Sequence, residues 1–166
     1  MENWQVAPDT AFDAFVALGK YLEDDGWFPQ RMGDDLIYRV GFAGQNAQVT
    51  CFAQIRPEIE VFLFHIVLPV KVPEKARMAV AEFITRANYG LLIGNFEMDF
   101  TDGEVRYKSS LDFEGSTLDH PLMRGVIYTA VQTMDRYIMG IMSVIYGGVS
   151  PKEAVDEVEK ELHSSG

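Results

Sequence analysis

The side chains with the chemistry to act on a substrate are few. They are a single cysteine, Cys51, three histidines, His65, His120 and His163, and the carboxylates Glu97, Asp99, Asp102 and Glu104. A Cys–His nucleophile pair works through the thiolate, and Cys51 sits in an apolar run that disfavours ionisation. One cysteine and one histidine do not make a zinc site. His65 lies mid-strand among Val61, Leu63 and Val67, where a satisfied or partner-facing imidazole is the expectation. Asp119-His120 resembles an acid–base pair only by adjacency, and before Pro121 it reads as a helix start. His163 lies in the C-terminal tail. The four carboxylates do not follow an EF-hand loop, and charge pairing and turn chemistry explain them. Ser109, Ser110, Ser116 and Ser150 have no nucleophile-elbow context, and the glycine patterns of P-loop and dinucleotide sites are absent. No catalytic, metal or cofactor-binding residue is expected, and the chain reads as a non-enzyme without cofactors.

The elements that would position these side chains specify an α+β domain. A helix begins near Asp9 or Thr10 with Phe12, Phe15, Val16, Gly19 and Leu22 at helical spacing, ending before Trp27. Leu36, Tyr38, Val40 and Phe42 alternate along a first strand, and Gly44-Gln45-Asn46 turns into a second, Gln48 to Arg56. After Pro57 a third strand runs from Glu60 to Leu68. It is apolar on both faces, with Phe62, Phe64 and Ile66 one way and Val61, Leu63 and Val67 the other, beside His65. An antiparallel sheet with one solvated face would alternate cleanly. This strand is therefore expected inside the sheet and covered twice, by helices on one side and by the terminal helices or a second polypeptide on the other.

Pro73 opens a second helix with the stripe Ala76, Val80, Phe83, Ile84 and Ala87, closed by Gly90 as a left-handed cap. A hairpin follows. A two-residue turn at Asp102-Gly103 would pair Phe100 with Val105, Met98 with Tyr107, Asp99 with Arg106 and Glu97 with Lys108. A long helix from Asp119-His120 to about Tyr146 carries Met123, Met134, Met139 and Met142, and its second half is apolar nearly all round. Ser150-Pro151-Lys152-Glu153 is a capping box for a last helix with Ala154, Val155, Val158 and Leu162. The order is α-β-β-β-α-β-β-α-α, with an antiparallel sheet of about five strands. Residues 1–166 read as one domain with a loose tail at 1–8.

Twenty-five acidic residues against 14 basic ones give a net charge of −11. That balance argues against nucleic acid and anionic membrane surfaces as partners. It serves solubility, or it meets a cargo with basic patches. The lone cysteine excludes an intramolecular disulfide framework. The N-terminus lacks a signal-peptide pattern, and the apolar stretch Tyr137–Val149 is too short for a bilayer, so a cytoplasmic location is expected.

Several short motifs occur in order along most of the chain. They are Gly26-Trp27, Val72-Pro73, Asn88 with Gly94-x-Phe96-Glu97-x-Asp99, and Gly103-Glu104-Val105-Arg106-Tyr107-Lys108. Met134-Asp135-x-Tyr137 and Gly148-x-Ser150-Pro151-x-x-Ala154 complete the set. In this order the chain resembles the bacterial YbjN-like proteins, labelled sensory transduction regulators. The resemblance implies an α+β fold similar to the type III secretion chaperones, which are small, acidic and dimeric and bind extended segments of partner proteins. It brings no catalytic residue set. One departure is Ile138-Met139-Gly140, where relatives carry a proline, implying a less interrupted long helix.

The expected function is a protein-binding module, chaperone-like or a regulatory adaptor, forming a homodimer and binding a further protein partner. Its partner or dimer surface is expected among Val61, Leu63, His65, Val67, Tyr137, Met139 and Met142. The alternative is a small-molecule sensor or an enzyme of another type, with a pocket between sheet and helices.

Overall fold

Strict alternation of burial along the central strands sets the architecture. The computed structural model describes residues 8–163, so the expected tail before Pro8 lies outside the described residues. Six strands form one antiparallel sheet in the order β1-β2-β3-β4-β6-β5. They are β1 (Gln30–Arg31), β2 (Ile37–Ala43), β3 (Gln48–Arg56), β4 (Val61–Val67), β5 (Asn95–Met98) and β6 (Val105–Asp112). β1 was not expected, because two residues against Arg39 and Tyr38 are too short to show a period of two. β4 lies between β3 and β6, the inner position its apolar run predicts.

Four helices complete the chain: α1 (Pro8–Asp24), α2 (Arg77–Gly90), α3 (His120–Tyr146) and α4 (Pro151–His163). α3 packs on β4 and β6, α1 on β3 and α2 on β5, while α4 lies over α2 and α3. Cys51, Ala53 and Ile55 of β3, Phe62, Phe64 and Ile66 of β4, and Val105 and Tyr107 of β6 are buried in one cluster with these helices. Each isoleucine, phenylalanine and valine among them contributes roughly 1.5–3 kcal/mol through burial. α3 runs 27 residues without a break, as the missing proline implies. Asp119 caps it by accepting the Leu122 N–H at 3.0 Å, so its carboxylate is structural.

Four local expectations are corrected. The buried side of α1 is Ala11, Ala14, Phe15, Leu18 and Leu22, whereas Phe12 and Val16 are 52% and 51% exposed. Small alanines let the helix approach the sheet, and the larger Phe12 and Val16 fall on its flank. The 3-10 turn Glu74–Ala76 follows Pro73, so α2 proper starts at Arg77. Asp9 and Thr10 lie inside α1 rather than at its cap. Gly90 ends α2 without a positive φ, and Gly94 makes the left-handed turn instead, at φ +69°.

The β5–β6 hairpin differs in register. Met98 pairs with Val105, Glu97 with Arg106, Phe96 with Tyr107 and Asn95 with Lys108. Asp102-Gly103 ends a longer loop rather than forming a two-residue turn. The Gly103 N–H donates to the Asp99 carbonyl at 2.8 Å, and the Asp99 N–H donates to Glu104 at 2.9 Å. The Asp99 and Asp102 carboxylates accept the N–H groups of Thr101 and Glu104 at 2.7 and 3.0 Å. These side-chain turns stabilise the longer loop over the tight one. The slip is even, so every side chain keeps its face.

Candidate functional site

The helices cover one side of the sheet. The other side carries the alternate residues of each strand, and no helix of the described residues packs there. Four of the expected surface residues, Val61, Leu63, His65 and Val67, stand together on it, half-buried along β4. Strand pairing places Ile37, Gln54, Leu63 and Ser110 in one row across the face. The next row is Arg39, Phe52, His65 and Lys108, and the one after is Gly41, Thr50, Val67, Arg106 and Glu97. An apolar strip thus runs between charged flanks, Arg39 on β2 and Lys108, Arg106, Asp112 and Glu97 on β6 and β5. Ile37, Arg39 and Phe52 were missed as site residues, although their alternation with buried neighbours in β2 and β3 was the available signal.

His65 stacks on Phe52 with ring centroids 5.1 Å apart. Burial, helped by Arg106 and Lys108 against the opposing pull of Glu97, pushes its pKa down to about 4. The imidazole is therefore neutral at pH 7, and its Nδ1 is shielded without a hydrogen-bond partner among the described residues. Glu97 pairs with both Arg106 and Lys108, the latter at 2.8 Å. Burial pushes the Glu97 carboxyl up, but the bonds from Lys108 and Arg106 outweigh it and hold it below the usual carboxylate range. Arg39 is exposed and has no ion-pair partner among the described residues.

The remaining expected surface residues lie elsewhere. Tyr137 is not on a surface at all: it is 2% exposed, edge-on to Phe83 and Phe96, with its hydroxyl donating to Glu159 at 3.1 Å. Helical spacing alone did not separate it from its exposed neighbours. Met139 is 55% exposed on α3, and Met142 is half-buried against the core. Met139 lines an open depression of about 310 Å³ between α3 and α4, with Arg136, Ser143 and Glu157. The space between sheet and helices is filled by Phe15, Phe62, Phe64, Phe83, Phe96 and Tyr107, all fully buried.

Cys51 points into the core, opposite in face to His65, and burial pushes its thiol up to about 12. The two cannot form a nucleophile pair. His120 packs edge-on against Tyr21. His163 ends α4, and its side chain is outside those described.

The shared motif residues hold the fold. Asn88 mimics a strand edge: its Oδ1 accepts the Phe96 N–H at 2.7 Å and its Nδ2 donates to the Phe96 carbonyl at 2.9 Å. Tyr107 donates to the Ile93 carbonyl, and a Cβ at Gly94 would collide with that hydroxyl. Asp135 on α3 accepts the N–H groups of Gln45 and Asn46 at 3.0 and 2.9 Å, clamping the β2–β3 turn. Trp27 stacks on Phe42 and donates to Asp25 at 2.9 Å.

These features can be set beside known proteins. No curated protein matches the chain. Several solved structures share its fold, two of them as follows. One is YbjN, "a putative transcription regulator from E. coli", with a TM-score of 0.55 and 11% identity over 79% of this chain and 87% of that one. The other is the ExsC–ExsE complex, with a TM-score of 0.58 and 14% identity over 78% of this chain and 93% of the matched chain. The fold is the α+β, type III secretion chaperone-like one that the motif order implies. A family model described as "Putative bacterial sensory transduction regulator" matches residues 16–141, and the chain belongs to that family, YbjN.

Proposed function

We propose that the chain is a non-enzymatic protein-binding module, a chaperone-like or regulatory adaptor, which docks its partner on the bare face of the sheet. The observation that carries this is the one-sided cover of a sheet that is apolar on both sides at β4. Contiguous apolar surface rimmed by polar groups marks an interaction site. The regulatory description of the family and the fold shared with a member of the ExsC–ExsE complex support a binding role. The ring-filled interior works against the alternative of a small-molecule sensor or enzyme with a pocket between sheet and helices.

Self-association belongs to a different surface. Met139, Met142 and Tyr146 recur at i, i+3 and i+7 on α3, with Met139 and Tyr146 exposed, and they form the stripe proposed for a homodimer. No helix among the described residues is long and apolar enough to cross a membrane. A single buried thiol suits a reducing compartment, and the cytoplasm is the proposed location.

Affinity capture from the native host with mass spectrometry tests the binding role. The unmodified chain is expected to retain a reproducible protein partner, Leu63→Glu to lose it, and Met78→Glu, on the exposed side of α2, to keep it. Equal capture by Leu63→Glu, or no partner at all, contradicts the proposal.

A further inference from the structure

The two edges of the sheet are finished differently. At β5 the outward N–H and C=O of Phe96 are taken by the Asn88 side chain, and Arg77 donates to the Phe100 carbonyl at 2.8 Å. At the opposite edge β1 pairs with β2 only at Tyr38 and Arg39, and the Met32 N–H reaches the Ile37 carbonyl. The Ile55 N–H donates to Leu36 and the Gly44 N–H to Ala47, which sets the phase of the β2–β3 ladder. The odd-numbered residues of β2 therefore aim their main-chain groups away from β3. Gly41 and Ala43 are exposed, and their outward N–H and C=O groups have no hydrogen-bond partner among the described residues. Continuing the β1 register would set Phe28 against Gly41 and Gly26 against Ala43. Both take a positive φ instead, +52° and +80°, so the chain arriving from α1 bends past these positions unpaired and leaves Phe28 86% exposed. A phenylalanine held in the left-handed region is strained.

Resting on the reading of the chain as a protein-binding module, we infer that an extended segment of another protein adds as a strand to β2 at Gly41–Ala43. Only a peptide main chain offers donors and acceptors that alternate at this spacing, and the N–H and C=O of both residues are satisfied together when it binds. Successive side chains of an added strand point to opposite faces, and the edge has room for both. On the bare side, an open depression of about 500 Å³ is lined by Gly41, Ala43, Gln48 and Thr50, and a Cβ at Gly41 would meet nothing within 4 Å. On the helix side, one of about 630 Å³ lies against Phe42 of β2 and Gln132 and Arg136 of α3. Gly41 shares its row with Thr50 and Val67, so a segment seated at the edge continues onto the bare face. A second copy of this chain does not fit. The two-fold pairing that uses Gly41 and Ala43 of both copies puts Gln45 of the second copy beside Arg39, where Gln30 already pairs.

Random displayed peptides selected on the immobilised full chain, then measured by fluorescence anisotropy against Ala43→Pro and Leu63→Glu, test this. Proline is tolerated on an edge strand where its N–H is unused, so Ala43→Pro deletes one outward donor and no internal bond. Circular dichroism checks the fold. The selected peptides are expected to lose about tenfold in affinity on Ala43→Pro. N-methylation along the peptide should weaken binding at every second residue, the period of a paired strand, whether or not the variant folds. The bound peptide should slow amide hydrogen exchange at Gly41 and Ala43. Peptides that bind Ala43→Pro unchanged but are lost on Leu63→Glu overturn strand addition and leave the docking face standing. N-methylation without a period of two, or no slowing of exchange at Gly41 and Ala43, also overturns strand addition alone. An absence of peptides that depend on either position overturns both readings.

Discussion

Asp25 gathers three donors, two from its own neighbourhood and one from α3: the Trp27 indole at 2.9 Å, the Tyr21 hydroxyl at 3.4 Å and the Tyr128 hydroxyl at 2.8 Å. The bond from Trp27, then that from Tyr128, holds its carboxyl below the usual range, although partial burial pushes the other way. A carboxylate lowered in the folded state contributes stability that is complete above its unfolded value, about 4, and is lost as pH falls through the lowered value. Asp25→Asn is therefore expected to reduce the drop in urea midpoint between pH 6 and pH 3. An unchanged drop, followed by tryptophan fluorescence, would contradict this. Gly103 has φ +78°, and a Cβ there would collide with the Val72 carbonyl. Gly103→Val should cost more than about 1 kcal/mol in chemical denaturation, and a neutral effect would remove the loop geometry from consideration.

α2, α3 and α4 meet at Gly140. A Cβ at that position would lie 2.8 Å from the Phe83 ring and 2.9 Å from Val158 Cγ2. Gly140→Ala should destabilise the fold by about 1–3 kcal/mol in urea titration, since the packed rings must shift. A gain in stability, as helix propensity alone predicts, would show that the three helices do not meet as closely as described. The sequence carried β3, the inner place of β4, α3 and the apolar stripe of α2, because each has a long, unambiguous period. It did not carry β1, which is too short, or the buried side of α1, where alanine and phenylalanine compete for the same face. The hairpin register was lost because Asp-Gly serves equally as a two-residue turn and as the end of a longer loop. Of the site, the outward residues of β4 were legible. The charged residues that frame them were not, because their convergence depends on pairing strands distant in sequence.

At the scale of the whole molecule the fold is asymmetric: among the described residues, helices pack on one side of the sheet only. The two proposed interfaces lie on opposite sides of the sheet, so they separate by experiment. Met142→Glu should convert a dimer to single chains in light scattering coupled to size exclusion, while Leu63→Glu leaves the mass unchanged. An unmodified protein that runs as a single chain at micromolar concentration would remove self-association. The docking face itself is tested most directly by placing the photo-crosslinking residue benzoylphenylalanine at Leu63 or at Met78 and irradiating cells of the native host. A discrete protein adduct from position 63, absent from position 78, is the predicted result; no adduct at position 63, or the same adducts at both positions, would contradict a partner docking on the bare face of the sheet.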